Sequence, residues 1–152
     1  MPVEFRGNRI NAIAVGPNGD GWVVGSLTGE GGSMGALTRL QGGKGRAVPF
    51  PQLGGPGIAD QSSPLPEVYI SGLAVPAPDD VWAVGGDNPV PLIAHWDGRS
   101  WSSASIEAPD QTPPLGSLTG VATLPPADVL AVGYIGYSGY EGTSLAMRQD
   151  CR

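Results

Sequence analysis

Apolar residues along the chain fall into short runs broken by turn-forming clusters, and one pattern of run, turn and run occurs three times. Ile10-Asn11-Ala12-Ile13-Ala14-Val15 leads through Pro17-Asn18-Gly19-Asp20 to Trp22-Val23-Val24-Gly25. Ile70-Ser71-Gly72-Leu73-Ala74-Val75 leads through Pro76-Ala77-Pro78-Asp79-Asp80 to Trp82-Ala83-Val84-Gly85. Leu118-Thr119-Gly120-Val121-Ala122-Thr123 leads through Pro125-Pro126-Ala127-Asp128 to Leu130-Ala131-Val132-Gly133. Ile13, Leu73 and Val121 each stand nine residues before Trp22, Trp82 and Leu130, so the copies align without gaps inside the unit. Short β-branched and aromatic runs flanking a Pro/Asn/Asp/Gly cluster predict an antiparallel hairpin.

A second hairpin follows in the middle copy, where Leu92-Ile93-Ala94-His95-Trp96 and Trp101-Ser102-Ser103-Ala104-Ser105-Ile106 flank Asp97-Gly98-Arg99-Ser100. Its weaker equivalent in the first copy is Ala36 to Leu40, a turn over Gln41 to Gly45, and Arg46 to Phe50. The third copy offers Ser144 to Arg148 and ends near Asp150. A full unit is therefore four strands, the content of one β-propeller blade. The expected fold is all-β, a partial propeller over 1–152 with blades at about 8–52, 68–108 and 116–152, the last incomplete. Asp20, Asp80 and Asp128 recur two residues before Trp22, Trp82 and Leu130. That recurrence assigns them a structural role, as turn acids accepting backbone hydrogen bonds, rather than a catalytic one.

The middle copy, Leu73-Ala74-Val75 to Asp80-Val81-Trp82-Ala83-Val84-Gly85 and then His95-Trp96-Asp97-Gly98-Arg99-Ser100-Trp101, resembles bacterial propeller repeats related to sialidase-type and photosystem II assembly-factor-type blades. Asp97 to Trp101 looks like an Asp-box shortened by one residue between Asp and Trp. The resemblance covers nearly the whole chain and implies a fold, with the Asp-box as a structural element remote from catalysis. The arginines, tyrosine and acid of sialidase chemistry match no motif here, so it implies no catalytic residue. It also implies further blades, since propellers close with 4 to 8 and the chain supplies about two and a half. Two explanations compete, a fragment of a longer protein and a ring assembled from several chains. The missing final strand favours the fragment, while Val3-Glu4-Phe5 is a candidate closing strand for another blade.

Composition narrows the functional classes. The 152 residues include 25 glycines and 16 prolines, enough to raise disorder, but 40% hydrophobic residues gathered into runs suit a turn-dense β protein instead. A formal charge of −6 opposes nucleic-acid binding, which needs Lys and Arg to displace counterions. No apolar stretch has membrane-spanning length, and Met1 to Arg6 lacks the apolar core of a signal peptide. The compartment is therefore open, and the resemblance points outside the cell or to the cell envelope. Cys151 is the single cysteine and His95 the single histidine, which removes an internal disulfide and any two-histidine site. His95 is expected to pack on its strand beside Trp96. Gly42-Gly43-Lys44-Gly45-Arg46 lacks the context of a phosphate-binding loop and reads as a turn. Asp79-Asp80 and Asn18 with Asp20 do not complete a calcium loop, so no metal or cofactor is expected.

Alternating strand direction gathers the connections between blades, and those between second and third strands, at one end. The segments expected there are Ser26 to Gly35, Pro51 to Glu67, Gly86 to Pro91, Glu107 to Ser117 and Tyr134 to Gly142. Loops on rigid scaffolds commonly carry binding groups. In the last of them, Tyr134, Tyr137 and Tyr140 recur at every third position beside Glu141, a candidate platform for a sugar or a protein. Trp22, Trp82, Trp96 and Trp101 recur with the repeat and are expected to pack between sheets. The reading at this level is a noncatalytic binding or interaction scaffold with a protein or carbohydrate partner. The alternatives are a glycan-binding, lectin-like oligomer and the remnant of a glycan-directed, sialidase-like enzyme.

Overall fold

The computed structural model describes residues 9–29, 32–48, 68–87, 90–104, 116–124, 128–136 and 143–150; at 27–29, 32–35, 87, 104, 143, 145 and 147–150 it describes the backbone alone. Every regular element among them is a strand. The first sheet is a meander of β1 (Arg9–Val15), β2 (Gly21–Gly29), β3 (Gly32–Gln41) and β4 (Lys44–Val48). The second repeats that order with β5 (Val68–Ala77), β6 (Asp80–Asp87), β7 (Val90–Trp96) and β8 (Trp101–Ala104). The third holds β9 (Gly116–Leu124), β10 (Asp128–Ile135) and β11 (Thr143–Asp150), with β10 in the middle. All pairings are antiparallel and no sheet closes on itself.

The sequence repeat is also a repeat of register. Trp22 lies between Ala14 and Arg39, Trp82 between Ala74 and His95, and Leu130 between Ala122 and Arg148. Each first strand carries an irregularity at the same place, between Ile10 and Ala12 and between Ile70 and Gly72, and in the third sheet opposite Val132 and Gly133. The extra residue is Asn11, Ser71 or Thr119, a β-bulge that tilts the backbone toward its partner strand. The repeated Val-Gly answers this bulge. A Cβ on Gly85 would lie 1.9 Å from the Tyr69 carbonyl oxygen, and one on Gly133 would lie 2.1 Å from that of Ser117.

Two apolar clusters fill the spaces between sheets. Trp22, Val24 and Leu37 of the first sheet meet Val68, Ile70, Val81, Ala83 and Leu92 of the second, with Trp96 and Trp101 packed against them. Ala74, Trp82, Val84 and Ile93 from the other face of the second sheet meet Leu118, Val129 and Ala131 of the third. Strict alternation along β6 makes this possible, because Val81 and Ala83 point one way and Trp82 and Val84 the other. Equivalent levels meet across each space: Asn11 Nδ2 donates to the Ile70 carbonyl at 2.8 Å, and a Cβ on Gly72 would come within 3.3 Å of the Gly120 Cα.

The strands run further than the apolar runs. Ser26 to Gly35, expected as a loop, is mostly hairpin, with β2 and β3 pairing out to Gly29 and Gly32. The Gly86 to Pro91 segment likewise pairs to Asp87 and Val90, and Tyr134 lies on β10 rather than in the loop after it. Hairpin hydrogen bonds are made by the backbone, so glycine, serine and threonine carry the ladder onward without an apolar signal. The turn at Gly42-Gly43 is also tighter than expected, because Gln41 pairs directly with Lys44. Positive φ at both glycines, 57° and 76°, fits a two-residue type I′ turn.

Candidate functional site

Two features bear candidate functional side chains. The first is the end of the sheets where the β2–β3, β6–β7 and β10–β11 connections emerge. Tyr134 stands there on β10, with Ser117 of β9 and Ser144 of β11 opposite it, and it is 43% exposed. Its side chain lies on the face of the third sheet turned away from the second, together with Leu130 and Val132, as the alternation with buried Val129 and Ala131 requires. Tyr137, Tyr140 and Glu141, like Val3-Glu4-Phe5, Cys151 and the Pro51 to Glu67 segment, lie outside the described residues.

The second feature is a unit of acid, base and aromatic ring that the first two sheets repeat. Asp20 Oδ2 accepts from Arg39 Nη2 at 2.5 Å and Nε at 3.2 Å, and from Gln41 Nε2 at 3.2 Å. The Arg39 guanidinium lies 5.5 Å from the centre of the Trp22 ring, in reach of a cation–π attraction. In the second sheet, Asp80 Oδ1 faces His95 Nε2 at 2.8 Å, and the imidazole stacks on Trp82 at 4.3 Å and 18°. His95 lies on β7 next to Trp96, and its ring packs on Trp82 of the neighbouring strand because adjacent strand residues point to opposite faces. In the third sheet the same register positions hold Asp128, Leu130 and Arg148.

These carboxylates therefore reach across their sheets to the third strand, a partner that the turn-acid reading did not include. The turn in the first sheet uses other groups: Asn18 Oδ1 accepts from the Asp20 amide at 3.1 Å, and Gly19 takes φ of 81°. Arg39, Asn18 and Gln41 together hold the Asp20 carboxyl below the ordinary aspartate range, Arg39 contributing most. Sequence reading missed Arg39 and His95 as equivalents. Arg39 lies seventeen residues after Trp22 and His95 thirteen after Trp82, so only the shared hairpin register reveals the match.

The β7–β8 turn is closed by the carboxylate of Asp97. Asp97 Oδ1 accepts from the Arg99 and Ser100 amides at 2.8 and 2.7 Å, Gly98 takes φ of 90°, and Trp96 pairs with Trp101 across the loop. The Ser100 and Arg99 amides hold the Asp97 carboxyl below its ordinary range. Trp22, Trp96 and Trp101 then form one aromatic chain, with centroids 6.5 and 5.6 Å apart. Among the described residues no three His, Cys, Asp or Glu side chains come together as a metal site, and no helix is long and apolar enough to cross a membrane. In comparison with known proteins, no family model, no curated protein and no solved structure matches the chain.

Proposed function

We propose that the chain is a noncatalytic, propeller-type binding scaffold whose ligand surface lies at the end carrying the β2–β3, β6–β7 and β10–β11 connections. The observation that supports this most is the identity of its two sheet-to-sheet contacts. Trp22, Val24 and Leu37 face Ile70, Val81 and Ala83, and the matching Trp82, Val84 and Ile93 face Leu118, Val129 and Ala131. A contact that repeats with the sequence is how blades stack in series, and such a stack holds its connections in fixed relative positions. Asp20 is engaged with Arg39 and Asp80 with His95 across their own sheets, contacts that support a scaffolding role for these two acids.

Tyr134 and Ser144, opposite each other on β10 and β11, are both exposed, and this favours a carbohydrate or a polar protein surface as ligand, since tyrosine offers a stacking face and a hydroxyl together. The test is a glycan array run beside cross-linking to candidate proteins. A glycan hit is expected to weaken at least about tenfold, or about 1.4 kcal/mol, when Tyr134 and Tyr137 are changed to Ala. Arg99→Ala, in the β7–β8 turn at the opposite end, should leave the hit unchanged. Hydrolysis of a sialoside or another glycoside by the purified chain would overturn the noncatalytic reading. Binding insensitive to the tyrosines but lost with Arg99 would overturn the placement of the surface.

A further inference from the structure

The two tyrosines among the described residues stand at one level of neighbouring sheets. Tyr69 of β5 pairs with Gly86 of β6, and Tyr134 of β10 pairs with Ser117 of β9. These pairs occupy one position of the repeat, since Tyr69 and Ser117 precede Ile70 and Leu118, and Gly86 and Tyr134 follow Val84 and Val132 by two. The tyrosine has moved from the first strand in one sheet to the second strand in the next, and the residue opposite it is small in both. A Cβ on Gly86 would lie 2.6 Å from the Tyr69 hydroxyl oxygen and 2.7 Å from its Cζ, so the ring fills the place of a side chain there. Gly86 shares a face with Trp82 and Val84, which puts Tyr69 at the mouth of the second junction. Tyr69 is half-buried, and its hydroxyl makes no hydrogen bond among the described residues.

Between the two rings lies the end of the third sheet. Ser117 Oγ donates to the Gly85 carbonyl at 3.4 Å and ties the second and third sheets together at the tyrosine level. β9 starts at Gly116 and β10 runs out into Gly136, with φ of 154° and 148°, so bare backbone forms the rim. Among the described side chains at this end Arg9 alone is charged, while Lys44, Asp79, Asp97 and Arg99 lie at the turns of the opposite end. We infer that Tyr69 is a second ligand contact and that one uncharged oligosaccharide crosses the glycine rim from Tyr134 to Tyr69, an assignment that rests on the proposed ligand end. Packed sheets stand about 10 Å apart, more than one sugar ring spans, so the ligand has more than one sugar unit. Each tyrosine offers a ring to a sugar face and a hydroxyl to its polar edge, and the neutral rim holds no partner for a carboxylate or sulfate among the described side chains.

The experiment runs the full chain on an array of neutral and sialylated glycans of graded length, beside Tyr69→Phe, Tyr69→Ala and Tyr134→Ala, with circular dichroism to check that each keeps its sheets. The unaltered chain should hold neutral glycans, more tightly as they lengthen, at low and high salt alike. Tyr134→Ala should weaken short and long glycans together. Tyr69→Ala should weaken long ones at least about tenfold while short ones keep their affinity. Tyr69→Phe leaves the ring on Gly86 and should weaken long glycans about fivefold, the loss of one net hydrogen bond, so the result does not hang on how Tyr69→Ala folds. Binding that needs Tyr134 but ignores both Tyr69 variants overturns the crossing and leaves the proposed ligand end intact. Hits confined to sialylated glycans overturn the uncharged ligand. An array without hits overturns the oligosaccharide, and a protein cross-link abolished by Tyr134→Ala would then keep the scaffold reading alone. Glycan binding untouched by Tyr134→Ala removes the ligand end itself, and the crossing with it.

Discussion

Asp20 brings together a guanidinium and the Gln41 side-chain amide at a side chain that is nearly inaccessible to solvent. Its carboxyl titrates lower in the folded chain than in the unfolded one, and so does that of Asp97. A depressed carboxyl contributes stability that is full above the unfolded value, about 4, and is lost as pH falls through the lower folded value. Melting temperature should therefore fall on acidification below about pH 4, and Asp20→Asn should lower it at neutral pH while flattening that acid limb. A melting series in buffers from neutral to acid checks both. Gly85 is set by sterics instead, with the bulged carbonyl of Tyr69 occupying the place of a Cβ. Gly85→Ala is expected to cost about 2–3 kcal/mol, roughly 5–10 °C of melting temperature for a domain of this size. A substitution with no measurable effect would mean that the β5 bulge is absent in solution.

Hairpins are the elements, and their turns fix register by different means. Gly42-Gly43 uses backbone freedom, whereas Asp97 uses a carboxylate that holds the Arg99 and Ser100 amides over a four-residue loop. Removing that carboxylate by Asp97→Ala leaves the amides to water and loosens the closing Trp96–Trp101 pair. Amide exchange in β8 should rise several-fold while β2 and β3 keep their protection, a contrast readable by hydrogen exchange. Asp97-Gly98 between aromatic residues announced this hairpin in the sequence, because turn chemistry is local. The extension of β2 and β3 to Gly29 and Gly32 was not announced, because Leu27 opposite Met34 is a single apolar pair among Gly, Ser and Thr and one pair makes no period to read.

Across the whole molecule, each sheet packs on its sequence neighbours, with β5 against the first sheet and β9 against the second. Stability in such a stack is close to a sum of sheets and the contacts between neighbours. Trp82→Ala, which empties a 3%-exposed ring from the second junction, should cost about 3–5 kcal/mol. Exchange should quicken in β9 and β10 more than in β1 and β2, and a uniform loss would show that the three sheets unfold as one unit. The strands, turns and serial repeat were legible in the sequence because apolar alternation and turn residues act over a few neighbours, and the aligned Trp22, Trp82 and Leu130 carried the register with them. The pairing of Asp20 with Arg39 and of Asp80 with His95 was not, since the intervening loops differ in length and only the folded hairpins restore the match. Which of the equivalent residues Val84 and Val132 is buried also lay beyond the sequence. Both carry the same local pattern, and burial is decided by whether another sheet is there to exclude water.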